Sequence, residues 1–242
     1  MLAKLGQLTR DLIGLIYPSK CLLCDNPQIS PRTHLLCEKC LAEIAARPLP
    51  DAGAIVEQHG GSIGDHLDAV YAGWQYDTTM QQVIHSFKYR FRPSLSRVFG
   101  DMLAQRLQND LQHEISRAVL VPVPLHPRRG RERGFNQSIL LAEAVARAWN
   151  IILIPRALER VRFTKAQATL NAPARKENVE GAFAPAAKAD LQGHTIFLID
   201  DVFTTGATMN ACAAALKSAG AARVIGLALA TTGRTPLNDN LV

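Results

Sequence analysis

No run of apolar residues in this 242-residue chain approaches the ~20 that a membrane-spanning helix needs. No small-residue cleavage site follows the N-terminal stretch MLAKLGQLTRDLIGLIYPSK, and Arg10 and Asp11 interrupt its apolar pattern. A signal peptide is therefore not expected. Leu2, Leu5, Leu8, Leu12, Leu15 and Ile16 instead recur at helical spacing, which predicts a short amphipathic helix packed on the body, with membrane-surface contact as the alternative. There is no internal repeat and no low-complexity tract. Aromatic residues are scarce, at 6%. Cysteine is scarce too, with five in all. Four of the five form two CxxC pairs, which in a chain without an export signal point to metal binding and a cytoplasmic location, not to disulfides.

What is present is a globular composition, 48% apolar, in a length that suits one sizeable core or one domain with a small appendage. The formal net charge is +6, and it is unevenly spread: Val121 to Asn178 holds eleven Lys/Arg against four Asp/Glu. A basic region of that kind can face an anionic ligand or a nucleic acid. Within it only Phe135, Trp149 and Phe163 could serve as stacking platforms for a single strand, so direct reading of bases has thin support.

The chain divides into three parts. Residues 1–50 carry the N-terminal helix and the cysteine region. The stretch RPLPDAGAIVEQHGGSIGDH, rich in Pro and Gly, reads as a linker, placed at 51–68. Residues 69–242 hold a strand (AVYAGWQYD) and two helices (TTMQQVIHSFKYRF and SLSRVFGDMLAQRL), then an alternation. AVLVPVP is a strand, FNQSILLAEAVARAWN a helix, IILIP a strand, TIFLID a buried strand, GATMNACAAALKSAGA a helix and RVIGLALA a strand. Strands alternating with helices predict an α/β fold with a parallel sheet flanked by helices. A polar, basic loop spans Glu159 to Asn178.

The stretch FLIDDVFTTGATM carries the most chemistry. Asp200 and Asp201 stand at the end of a buried strand, and ligands in open α/β sheets bind beyond such ends. Thr204 to Thr208 turn into the next helix with almost no bulk. Small residues admit a ligand close to the backbone, and the N–H groups and dipole of a helix start favour phosphate. Two carboxylates beside a phosphate cradle suit sugar hydroxyls, or a divalent metal between ligand oxygens. A ribose 5-phosphate meets both demands. The plain alternative is a strand-to-helix turn capped by aspartates.

CLLC (Cys21, Cys24) and CEKC (Cys37, Cys40) are separated by twelve residues and offer four soft ligands for a tetrahedral site. Zinc, in a structural role with no open position, is the expected metal. An iron–sulfur centre or redox thiols are the alternatives. Cys212, alone in an apolar helix, reads as a core residue. No general base stands out, and His126 and His85 read as structural or surface residues.

FLIDDVFTTGAT resembles the phosphoribosyl-pyrophosphate (PRPP) signature of type I phosphoribosyltransferases. Together with VPVPLHPRRGRERGFNQS, RVRFTKAQATLNAPARKENVEGAF and the cysteine-rich N-terminus, in this order, it resembles the ComF/GntX family, which is linked to competence, DNA uptake and the use of external DNA. The resemblance covers nearly the whole chain and is strongest from about Val119 to Thr232. It implies that Asp200 and Asp201 hold the ribose hydroxyls and that Thr204, Thr205, Gly206, Ala207 and Thr208 wrap the 5-phosphate. It further implies that the turn after VPVP is a pyrophosphate loop, with Arg128, Arg129, Arg131 and Arg133 as its charges. Arg suits this because its planar fork binds two phosphate oxygens at once. Glu159–Asn178 would be the lid, with Arg162, Lys165, Gln167, Arg175 and Asn178 closing over the pyrophosphate. Mg²⁺ would accompany PRPP. The expected activity is transfer of ribose 5-phosphate to an acceptor that has no readable signature. A single-stranded DNA-binding factor and a PRPP sensor without turnover are the alternatives. Many family members carry further CxxC pairs, whereas this chain has one set.

Overall fold

The computed structural model describes residues 20–58, 63–89, 93–162, 177–187 and 190–232. The expected N-terminal helix, Lys165, Gln167, Arg175 and Phe163 lie outside the described residues.

Five strands form one parallel sheet in the order β1-β7-β6-β2-β3: β1 (Ala69–Gln75), β2 (Ala118–Pro122), β3 (Ile152–Leu153), β6 (Thr195–Phe203) and β7 (Arg223–Thr231). Every residue of β2 is buried, as is all of β7 after Arg223. Such unbroken apolar runs are what a sheet covered on both faces requires. The pleat sends Phe197 and Ile199 of β6 into one core and Ile196 and Leu198 into the other, as the two-residue period dictates.

The first core lies under α3 (Thr78–Tyr89), α4 (Pro93–Ile115) and α6 (Gln137–Trp149). Pro93 opens α4, where a missing N–H costs nothing, and the helix runs well past the expected Leu107. The cysteine region shares this core. Cys21, Leu35, Leu36, Cys37 and Cys40, with Leu41 and Ile44 of α1 (Glu38–Ala45), belong to one buried cluster with Trp74, Phe87 and Phe99. Trp74 Nε1 donates to Ile44 O at 2.8 Å. Arg106 lies 4.7 Å over the Trp74 ring and donates to the carbonyls of Gly73, Ala45 and Arg47 at 3.0, 2.8 and 2.7 Å.

The second core lies under α7 (Ala207–Ser218) and a two-stranded antiparallel ribbon, β4 (Leu158–Arg160) with β5 (Phe183–Pro185). The stretch expected to be a linker contributes to it. Residues Ala52–Gln58 form α2, and its Ile55 is completely buried with Ile63 and Leu67. The apolar residues of this stretch outweigh its Gly content, because the sheet face behind them would otherwise be exposed.

Candidate functional site

Three chain segments converge at the carboxyl end of the sheet. β6 runs on through both aspartates to Phe203, which leaves Asp201 buried and Asp200 half-buried. Beside it the chain leaves β2 still in register, with Val123 N donating to Ile199 O at 2.9 Å. The start of α6 is tied back to the same place: Asn136 Nδ2 donates to Val123 O at 3.0 Å. From α6, Ser138 Oγ donates to Asp200 Oδ1 at 2.9 Å, and Gln137 Nε2 to Asp201 Oδ2 at 3.4 Å.

After Phe203 the chain turns through Thr204, Thr205 and Gly206 into α7. Gly206 caps the helix with φ 73°, and no side chain caps it. A Cβ there would stand 2.9 Å from Phe203 Cζ and 3.2 Å from Ile63 O, so the turn demands glycine both for its conformation and for space. The first N–H groups of a helix point outward without intrahelical partners, and here they face the loop. Thr204, Thr205, Ala207 and Thr208 are half-buried around it. The Thr205 hydroxyl is buried and has no hydrogen-bond partner among the described residues. A buried polar group in that state calls for a ligand. The loop is braced from outside by residues 63–66: His66 N donates to Asn210 Oδ1 at 2.9 Å, and Gly64, at φ 104°, passes so close that a Cβ would meet that side chain at 2.4 Å.

The arginines of the turn after VPVP occupy a short helix, α5 (Pro127–Arg133), that the sequence did not suggest. His126 caps it by accepting from Arg128 N, which gives that histidine a structural role. Arg128 is exposed and pairs with Glu132 at 3.1 Å. Arg131 is exposed and Arg129 half-buried. Arg133 ends the helix, and its side chain lies outside the described set. Arg162 is exposed, and its Nη2 donates to the carbonyls of Glu177, Asn178 and Glu180 at 3.4, 3.3 and 2.5 Å. It thereby stitches the two ends of the expected lid together at their root.

Sequence reasoning missed Arg160. It is 9% exposed, sits at the end of β4, and lies 5.1 Å over the Phe183 ring. Burial, followed by the nearby Arg129, pulls its pKa below the ordinary arginine value, while Cys212 and Asp200 act the other way. Burial, with Asp200, pushes the Cys212 thiol well up, so it stays a neutral core residue. Arg160 is therefore a buried cation within electrostatic reach of Asp200 and Arg129. Its only sequence signal was its place in RVRFTKAQ. Gln137 and Ser138 were likewise visible only as part of GFNQS.

The four knuckle cysteines come together, with their Sγ atoms all within 4.8 Å of one another. Tetrahedral zinc with bonds of about 2.3 Å sets its sulfurs roughly 3.8 Å apart, and Cys24 and Cys37 stand at 3.6 Å. Cys37 N donates to Cys21 Sγ and Cys40 N to Cys37 Sγ, at 3.4 and 3.5 Å. Burial pushes the Cys21 thiol up, but the N–H groups of Leu23, Cys37 and Cys24 outweigh it and bring it down to about 7. This donor set fits zinc and leaves no open position. No helix among the described residues is long and apolar enough to cross a membrane.

Comparison with known proteins agrees with this geometry. Residues 136–240 match the phosphoribosyl transferase domain family, a stretch that takes in α6, the Asp pair and the glycine loop. The chain is thus a phosphoribosyltransferase-type domain joined to a four-cysteine knuckle. It is 28% identical to competence protein F of Haemophilus influenzae over 76% of this chain and 85% of that one. It is 33% identical to the DNA utilization protein YhgH of Salmonella typhimurium over 62% and 66%, and 28% identical to competence protein ComFC of Bacillus subtilis over 84% and 73%. The chain belongs to the ComF family. Among solved structures it is similar to the glutamine PRPP amidotransferase of B. subtilis, 20% identical over 59% of this chain and 30% of that one, with a TM-score of 0.39.

Proposed function

We propose that this protein binds PRPP with Mg²⁺ and transfers its ribose 5-phosphate to an acceptor, in the setting of DNA uptake or the use of external DNA. The observation that carries the reading is the pairing at one strand end of two held carboxylates with a left-handed glycine that opens α7. Thr204 to Thr208 bind the 5-phosphate through the helix-start N–H groups and the Thr205 hydroxyl. Asp200 and Asp201 accept from the ribose hydroxyls. Arg129 and Arg160 face the pyrophosphate side as cations, joined by lid residues. The setting is supported by the relatives' names and not by the site.

The chemistry implied is displacement of pyrophosphate from C1 through an oxocarbenium-like state. The residues contribute positioning and electrostatic stabilisation of the leaving group. The Asp pair offers hard oxygen donors suited to Mg²⁺, which would supply charge neutralisation for that group. Lid closure over the root held by Arg162 would exclude water. The exposed Arg128, Arg131, Arg156 and Arg162 favour a second reading, in which a single DNA strand binds exposed arginines and PRPP regulates.

A thermal-shift series tests the first reading. PRPP with Mg²⁺ at about one hundred times its Kd is expected to add about 2.7 kcal/mol, or roughly 5–10 °C at this chain length. An unchanged melting temperature at millimolar PRPP, alongside salt-dependent stabilisation by an oligonucleotide, would favour the second reading.

A further inference from the structure

Gln137 and Ser138 are polar residues exposed by only 4% and 1%, at the first turn of a helix on the neighbouring strand's connection. Buried polar side chains must find partners, and theirs include the two carboxylates of the site. Ser138 Oγ reaches Asp200 Oδ1 at 2.9 Å, and the same oxygen accepts the Asp201 N–H at 2.9 Å. Gln137 Nε2 reaches Asp201 Oδ2. The helix start that presents them is itself fixed. Asn136 caps α6 by accepting from Ser138 N at 3.0 Å, while its Nδ2 holds Val123 O at 3.0 Å. A continuous chain of contacts therefore runs from the end of β2 through Asn136 to both carboxylates. The positive end of the α6 dipole adds to their hold.

We infer that Gln137 and Ser138 are positioning residues that lock the Asp200 and Asp201 carboxylates toward the diol of the ligand, and so make the site selective for ribose over 2-deoxyribose 5-phosphates. The inference rests on the proposed PRPP site. A carboxylate that can swing recovers water when a hydroxyl is absent. A carboxylate fixed by a neighbouring donor re-aims less freely, and a deoxy ligand leaves it with an acceptor unpaired in a partly desolvated place. The clamp also spares the ordering cost of fixing both side chains on binding. The phosphate end of the ligand is read by a separate segment, the loop that opens α7.

The test is calorimetry with three probes: ribose 5-phosphate, 2-deoxyribose 5-phosphate and inorganic phosphate. The proteins are the wild type, Ser138→Ala and Gln137→Met. The wild type is expected to prefer the ribose form by about a hundredfold, the loss that follows when one hydrogen bond to a charged acceptor goes unmade. Each variant is expected to narrow that preference about tenfold while inorganic phosphate binds within twofold of wild type. Variants that keep the wild-type preference, or that lose all three probes together, overturn the clamp while leaving the ribose site standing. A wild type that binds inorganic phosphate but does not separate the two sugars overturns the ribose reading and the clamp with it.

Discussion

If the knuckle holds zinc, removing it with a chelator, or replacing Cys37 with Ser, is expected to lower the melting temperature of the whole chain by more than about 10 °C, not merely to loosen its N-terminal end. Four cysteine sulfurs converging within 4.8 Å suit a single tetrahedral cation. Structural zinc sites hold about 10–16 kcal/mol of apparent binding free energy, which becomes folding free energy where the ligands are otherwise unordered. The knuckle cannot unfold alone. Leu35, Leu36, Leu41 and Ile44 are buried against the same cluster as Trp74 and Phe99, and exposing each costs roughly 1.5–3 kcal/mol. The three carbonyls held by Arg106 would also lose their donor. Differential scanning calorimetry with and without chelator checks this. A single transition moving down is the expected trace. A body transition that stays put, with a small separate one disappearing, would show the knuckle to be independent.

Gly206→Ala is expected to destabilise the fold by about 2–4 kcal/mol and to weaken phosphate binding about a hundredfold. Left-handed backbone costs a non-glycine residue about 1–2 kcal/mol. The new methyl would also meet Phe203 Cζ at 2.9 Å and Ile63 O at 3.2 Å. Phe203 is 1% exposed and cannot swing away without disturbing the second core, so overpacking adds to the conformational cost. Relief would come from moving the loop, which misaims the N–H groups at the start of α7. Chemical denaturation and phosphate titration of the same sample read both effects. Wild-type stability with wild-type phosphate affinity would show that the loop is neither strained at this position nor part of the binding surface.

The parts of this molecule that were legible in sequence are those written locally. The cysteine spacing brings four thiols together because each CxxC is a single turn. The strand–Asp–Asp–loop order places carboxylates and glycine at one sheet end because a strand and its following helix leave little freedom between them. The contributions that were not legible come from distant segments. Gln137 and Ser138 meet the Asp pair across more than sixty positions. Arg160 comes within electrostatic reach of Asp200 through the pairing of β4 with β5, and three-residue strands leave no periodic signal. Residues 63–66 looked like linker because they belong to a glycine-containing stretch, yet Gly64 is there to let the chain pass against Asn210. Arg128 is expected at a phosphate because the turn after VPVP resembles a pyrophosphate loop, and its pairing with Glu132 one helical turn away follows from a helix that a Pro–Arg–Arg–Gly run did not advertise.

The most direct test of the account is a calorimetric titration of PRPP with Mg²⁺ into the wild type and into the Asp200→Asn/Asp201→Asn double variant, with inorganic phosphate as a control on both. The account predicts saturable PRPP binding by the wild type, loss of at least two orders of magnitude in the variant, and phosphate binding that survives in both. PRPP binding undiminished in the variant, or none in a wild type that is folded and metal-loaded, would contradict it.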